Sequence, residues 1–329
     1  MIQIATIGTN FITDRFLNAV EEVEGVKVSA VFSRTLEKGR AFAEKHHVKK
    51  IYDDYEKMAE DPEIDAVYVA SPTCCHYEQS MTMIRHGKHV LCEKPVCSNQ
   101  EELEELIQQA KKNRVIFMEA MKNIHCPGFQ ILRENIEKLG KIRQASVQYC
   151  QYSSRYDKFK EGIVENAFKP ELSNGALMDI GAYCIHFIAA LWGEPQKVVS
   201  DSIFLENGVD GAGNILLCYG EKQAHLQYSK ITDSVGITQI QGEKGYMLIE
   251  QAPNIRKINV VYRDGSLEQL QVESRENPMS YELQDFVRLI EEKKIEHEYL
   301  EASRIEMMII DEVRKQNGIV FPADKRVRS

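Results

Sequence analysis

The first 120 residues alternate short apolar runs with amphipathic stretches, and that alternation predicts a parallel sheet with crossover helices. Ile2–Ile7, Val26–Ser33, Ile51-Tyr52, Asp65–Ala70, a run ending at Lys94, and Val115–Ala120 read as strands. Between them lie helical patterns: from Gly8-Thr9-Asn10 through Glu22, Thr35 to about His46, one opened by Asp53-Asp54-Tyr55, and His76 to about His86. The last runs to about Asn113, with Asn99 as its cap. The pattern is that of a doubly wound nucleotide-binding domain over residues 1–122.

Beyond it the character changes. Cys126–Leu139 reads as a helix stopped by Gly140. β-rich runs follow at Ile142–Ser153, Lys197–Leu205, Gly213–Tyr219, Gln223–Ile231, Gly236–Gln241, Gly245–Glu250 and Lys257–Tyr262. One helix, Gly175 to about Leu191, interrupts them, and Gly193 and Pro195 stop it. Helices at Tyr281–Lys293 and Leu300–Gln316 and a short strand Ile319-Val320-Phe321 complete the reading. The fold class is therefore α/β, with an α+β domain over 123–329 built on a large, mostly antiparallel open sheet. A helix-free face of that sheet would be apolar and favour a homodimer or homotetramer. The loop Tyr156–Pro170, expected to line the pocket, shows no pattern that assigns it a structure.

At 329 residues the length suits two domains, and 43% hydrophobic with 28% charged content suits a globular chain. A net charge of −9 argues against nucleic acid or an anionic membrane as the main partner. No apolar run approaches the roughly 18–20 residues of a membrane span. The chain opens directly on a strand-like segment, so no signal peptide and a cytoplasmic location are expected. None of the eight cysteines forms a C-x-x-C pair, and adjacent residues such as Cys74-Cys75 serve one tetrahedral zinc poorly. Reduced thiols and no metal are expected.

Gly8-Thr9-Asn10-Phe11-Ile12-Thr13 stands where a G-x-G-x-x-G fingerprint would open the first helix, but retains only its first glycine. Gly8 suits the tight turn, and Asn10 is the residue type next best able to take positive φ beside a pyrophosphate. The helix start offers N–H groups to the phosphates. At the end of the second strand, Ser33-Arg34-Thr35 with Lys38 replaces the acidic residue that would bind a ribose 2′-hydroxyl. A hydroxyl, a guanidinium and an ammonium suit a phosphate monoester, so NADP is favoured over NAD.

Glu93-Lys94-Pro95 closes the run Gly87-Lys88-His89-Val90-Leu91-Cys92, and the proline ends that strand. Lys94 thus falls at the carboxyl edge of the sheet, where such sheets bind ligands. With Ser71-Pro72-Thr73-x-x-His76 before it, this stretch resembles the glucose–fructose oxidoreductase / inositol dehydrogenase (Gfo/Idh/MocA) family. Phe117-Met118-Glu119-Ala120 and the helix Gly175–His186 are similar to the branch of dimeric dihydrodiol and D-xylose dehydrogenases. The resemblance covers essentially the whole chain. It implies that Gly8, Thr9, Asn10, Phe11 and Ile12 line the pyrophosphate and that Ser33 and Arg34 meet the adenosine phosphate. It places Ser71, Pro72, Thr73 and His76 along the ribose and nicotinamide, with Glu93 and Lys94 beside the ring and Lys94 as the catalytic lysine. Thr13 and Ser173-Asn174 depart from the family pattern, like Asn10.

Moving a hydride from a carbon that bears a hydroxyl requires an acceptor for the hydroxyl proton. Tyr183 suits that task when a cation lowers its pKa from about 10, and Lys94 is the candidate cation. Asp179, four residues earlier on one helix face, would orient Lys94 or a substrate hydroxyl. His186 and His125 are candidate substrate contacts, and Arg155 serves as a contact or as a solvated loop charge. The leading reading is an NADP-dependent oxidoreductase acting on a sugar, polyol or dihydrodiol. The alternative is a non-catalytic dinucleotide sensor on the same fold.

Overall fold

The computed structural model describes residues 1–250 and 253–325, which divide by packing into two units. The first holds Met1–Ala120 and Arg275–Glu301; the second holds Met121–Ser274 and the chain from Ala302 on. The sequence reading drew one boundary after residue 122; the packing adds that the segment Arg275–Glu301 returns to the first unit.

The first unit runs β1 (Ile2–Ile7), α1 (Phe11–Glu21), β2 (Val26–Phe32), α2 (Leu36–Lys45), β3 (Lys50–Tyr52), α3 (Tyr55–Glu60) and β4 (Ala66–Val69). It continues with α4 (His76–Arg85), β5 (His89–Glu93), α5 (Gln100–Asn113) and β6 (Phe117–Ala120). All six strands pair in parallel in the order β3-β2-β1-β4-β5-β6, the doubly wound arrangement. The strands read as apolar runs because both faces of such a sheet are covered. β4 and the middle of β5 are wholly buried.

Phe16 of α1 stacks on Tyr68 of β4 with ring centroids 3.7 Å apart and an 8° interplanar angle. Both rings are 0% exposed, and burying one such ring contributes about 2–3 kcal/mol. The returning segment adds Met279, Leu283, Phe286, Val287 and Leu289 to this same core.

The second unit contains α6 (Lys122–His125), α7 (Pro127–Asn135), β7 (Ile142–Cys150), α8 (Ser154–Lys160), a π-helical turn Leu177–Gly181 and α9 (Ala182–Trp192). Then come β8 (Lys197–Phe204), β9 (Asp210–Cys218), β10 (Gln223–Ser229), β11 (Ile237–Gly242), β12 (Gly245–Glu250), β13 (Lys257–Tyr262) and β14 (Leu267–Leu270). Helix α10 (Met279–Glu292) is the returning element of the first unit, and α11 (Glu298–Asn317) follows it. The eight strands lie in the order β14-β13-β12-β11-β7-β10-β9-β8. Every pairing is antiparallel except β10 with β7.

Several expectations change. The sequence reading placed a strand at Ile319-Val320-Phe321; those residues form none. It missed β14, whose short Leu-Glu-Gln-Leu run carries no β-branched residue. The stretch Tyr156–Pro170 is part of α8 followed by 3₁₀ turns, Asn166–Phe168 and Pro170–Leu172. It folds on an aromatic cluster of Phe159, Phe168 and Tyr156 rather than on a repeating pattern, which is why periodicity does not reveal it.

The open face of the large sheet is also less apolar than expected. Its outward central positions are Gln144, Ser146 and Gln148 on β7, Gln223, His225 and Gln227 on β10, and Gln239 and Gln241 on β11. Tyr246 and Leu248 on β12 flank them.

Candidate functional site

In the first unit the candidate residues collect at the carboxyl ends of adjacent parallel strands. Gly8 follows β1 and Ser71 comes after β4, the two strands between which strand order reverses, and Lys94 follows the next strand, β5. Open parallel sheets bind ligands in the crevice at that point. Gly8 has φ +117°, and a Cβ there would stand 2.6 Å from the Ala70 carbonyl oxygen, so no other residue fits without moving β4.

Asn10 departs from the sequence reading. Its φ of −99° is extended, not positive, because the residue caps α1. Oδ1 accepts from the N–H groups of Ile12 at 2.9 Å and Thr13 at 3.3 Å, and Nδ2 donates to the Ala70 carbonyl at 3.0 Å. Two N–H groups that a phosphate would otherwise meet are thereby taken by a side chain. Thr13 is buried, in the place of the third glycine, and Phe11 is 62% exposed at the helix start.

At the end of β2, Ser33 is buried and its N–H donates to the Tyr52 carbonyl at 2.9 Å. Arg34 and Lys38 are exposed. Thr35 caps α2 with no side-chain bond, so its side chain does not occupy the first-turn N–H groups beside Arg34. The Ser71 hydroxyl donates to Gln79 Oε1 at 2.6 Å.

His76, expected along the ribose and nicotinamide, is only 1% exposed. Nε2 lies 2.9 Å from the Ser71 carbonyl and Nδ1 3.0 Å from the Pro95 carbonyl. Burial holds its pKa below the usual histidine range, against those two carbonyls. It ties the two site loops together from inside.

The turn carrying Lys94 is gripped from beneath. Tyr68 donates to Glu93 Oε1 at 2.5 Å, and the Val96 N–H donates to buried Glu119 Oε1 at 2.9 Å. The Lys94 N–H donates to Glu93 Oε2 at 3.2 Å, and the Lys94–Pro95 peptide is cis. Lys94 itself is half-buried. Tyr68 and Gln79 are absent from the sequence reading because each sits inside an ordinary apolar or helical run.

In the second unit, the helix read as Gly175–Leu191 begins with the π-helical turn, and so departs from a regular α-helix where Asp179 sits. Asp210, 2% exposed, caps its start by accepting from the Leu177 N–H at 2.6 Å, and burial pushes the Asp210 carboxyl up to about 6. Gly181 packs on the Tyr228 ring, which leaves little room for a wider side chain there.

Asp179 is half-buried and its Oδ2 lies 2.5 Å from Nζ of Lys230, a residue the sequence reading missed. Tyr183 is half-buried, edge-on to Tyr149 at 5.7 Å, with the Lys122 ammonium 5.7 Å from its ring centre. A cation therefore stands near Tyr183 within its own unit. Asn123 Nδ2 donates to the Tyr183 carbonyl at 3.3 Å. His125 ends α6, half-buried.

His186 is corrected: it is 1% exposed and its Nδ1 lies 2.6 Å from Oε2 of Glu306, itself 0% exposed. A histidine enclosed with a carboxylate is a packed pair and not a substrate contact. Arg155 lies 3.3 Å from Glu165 in the α8 segment.

This arrangement, a doubly wound sheet with a glycine turn at its switch point and a lysine at the next strand end, is that of a dinucleotide-binding protein. Residues 2–121 match the model of an oxidoreductase family with an NAD-binding Rossmann fold, and residues 129–248 match the GFO/IDH/MocA C-terminal domain. A scyllo-inositol 2-dehydrogenase (NADP(+)) of Bacillus subtilis is 46% identical over 327 residues, 99% of this chain and 100% of its own length. A trans-1,2-dihydrobenzene-1,2-diol dehydrogenase of Xenopus tropicalis is 29% identical, covering 94% of this chain and 96% of its own. Among solved structures, a 3-ketoreductase from Actinomadura kijaniata in complex with NADP and TDP-benzene shares the fold, with a TM-score of 0.87 and 22% identity over 97% and 99% of the two chains. The chain belongs to the GFO/IDH/MocA oxidoreductase family.

Proposed function

We propose that the chain is an NADP-dependent oxidoreductase that moves a hydride between nicotinamide and a carbon bearing a hydroxyl on a polyol, sugar or dihydrodiol. The observation that carries this reading is Lys94, half-buried at the strand end on a turn that Glu93, Glu119 and His76 hold rigid. The activities of the Bacillus and Xenopus relatives support the cofactor and substrate class. Gly8, admitting no Cβ, fits a turn that a pyrophosphate approaches closely, and Arg34 with Lys38 at the start of α2 fits a 2′-phosphate better than a bare hydroxyl.

When bound, the nicotinamide supplies or receives the hydride. Tyr183 takes the hydroxyl proton in oxidation and returns it in reduction. Lys94 donates to the reacting oxygen, and the Lys122 ammonium, 5.7 Å from the Tyr183 ring centre in the same unit, is a cation that favours the tyrosinate. Asp179 accepts from a further substrate hydroxyl, and His125 is a further substrate contact.

We also read the protein as cytoplasmic and self-associating. All eight cysteines are free thiols, and among the described residues no helix is long and apolar enough to cross a membrane. The open face of the large sheet, with its glutamine rows and flanking Tyr246 and Leu248, offers donors, acceptors and apolar area to a second copy.

The test is NADPH absorbance with a polyol, sugar and diol panel. Wild type should turn over at least one member, while Lys94→Met and Tyr183→Phe each lose turnover by 10³-fold on the order expected for acid–base groups and keep NADPH affinity. Tight NADPH binding with no turnover on any of them would favour the sensor.

A further inference from the structure

We propose that Lys230 is the positioning residue for Asp179, and that the pair selects substrates with a second hydroxyl beside the reacting carbon. This rests on the reading of function above. Lys230 stands one residue past β10, 3% exposed, and its N–H donates to the Gly211 carbonyl at 2.9 Å, so its backbone is pinned. Its Nζ lies 2.5 Å from Asp179 Oδ2 and 3.4 Å from the Ala167 carbonyl, and stands 5.0 Å from the centre of the Phe168 ring.

A buried ammonium must be paired, and here the pairing carboxylate is Asp179. The nearby carboxyl of Asp210 is directed elsewhere, to the Leu177 N–H. Phe168 is itself fixed: it is 0% exposed, packs on Phe159 at 5.5 Å, and its carbonyl accepts from Asn207 Nδ2 at 2.8 Å. The lysine thus joins the aromatic segment 154–172 to the site helix through one charge.

The consequence falls on Asp179. The Lys230 ammonium holds Oδ2 in place, so the carboxylate presents a fixed acceptor. A carboxylate accepts and does not donate, so what it recognises is a hydroxyl. Tyr183 lies four residues on, at the start of the α-helix that continues the π-helical turn of Asp179, so a hydroxyl next to the one Tyr183 deprotonates is the group that Asp179 meets. A vicinal diol meets both groups at once; an isolated alcohol meets one.

The experiment is a mutant cycle of D179N, K230M and the double variant, with NADP⁺ and either scyllo-inositol, trans-1,2-cyclohexanediol or cyclohexanol. NADPH affinity and thermal melting serve as the checks on folding. K230M should lower kcat/KM for the two polyols about tenfold or more, mainly through KM, and lower the diol-to-cyclohexanol ratio by a similar factor. The double variant should be no worse than D179N, since both remove one fixed acceptor. K230R should recover part of the loss and K230Q none; this second pair also serves if K230M does not fold.

Wild-type turnover with K230M unchanged, losses that multiply in the double variant, or equal losses on diol and cyclohexanol would each overturn the role of Lys230 alone. Wild type that binds NADPH yet turns over none of the probes would overturn the reading of function, and the positioning role with it.

Discussion

Gly8→Ala tests whether the crevice at the strand switch point depends on one missing methyl group. Two costs arise at this residue. A φ of +117° is open to glycine and strained for alanine, by roughly 1–3 kcal/mol. The new Cβ would also meet the Ala70 carbonyl oxygen at 2.6 Å, well inside van der Waals contact. Relieving that clash pushes the end of β4 away from β1, at an overpacking cost of about 1–3 kcal/mol. It also strains the Asn10 bond to the same oxygen.

Gly87→Ala provides the control. That glycine has φ +76° and no atom within 4 Å of the added Cβ, so it carries the strain without the clash. The two variants should therefore differ by the clash and by the greater strain of +117°, since +76° lies near the left-handed region that alanine can enter. Gly8→Ala should melt lower than Gly87→Ala by several degrees, at about 2–4 °C per kcal/mol. NADPH affinity, read by fluorescence titration, should fall at least about tenfold in Gly8→Ala, or 1.4 kcal/mol, and stay unchanged in Gly87→Ala. Equal melting temperatures and equal NADPH affinities would refute the argument that the crevice is set by Gly8 and Ala70.

Other outcomes follow from the same geometry. Asp210 holds its proton more tightly in the folded chain, at about 6 against an ordinary 3.8, a difference of about 3 kcal/mol. The stabilisation is complete below pH 3.8 and is lost as pH rises through 6; the melting temperature of wild type minus that of Asp210→Asn should fall between pH 4 and pH 7, and a flat difference would contradict it. Arg34→Ala should reduce the preference for NADP over NAD about ten- to hundredfold in kcat/KM, with little effect on NAD itself; loss with both cofactors alike would assign Arg34 a structural role.

Much of the first unit was legible because its signals are local. Apolar runs of three to seven residues, broken by turn residues and amphipathic stretches, mark the strands and their parallel pairing. The candidate residues were found because they stand at strand ends, where punctuation such as Gly8 and Pro95 is visible in one dimension. The supports were not found. Glu119 was noted only as part of a motif, and its grip on the Val96 N–H appears only once β5 and β6 lie side by side.

The second unit was harder, for a physical reason. Its sheet joins strands far apart in sequence, and β10 pairs in parallel with β7 across some seventy residues. Lys230 could not be paired with Asp179 without that topology, nor His186 with Glu306, 120 residues away.

By itself the sequence determined the two kinds of fold, the edge on which Lys94 stands, and the helix that carries Asp179 and Tyr183, because each follows from periodicity and residues close in the chain. Only the tertiary structure decided that His76 and His186 are enclosed and that Lys230 holds Asp179. Burial and long-range pairing depend on which segments meet, and no local spacing encodes that.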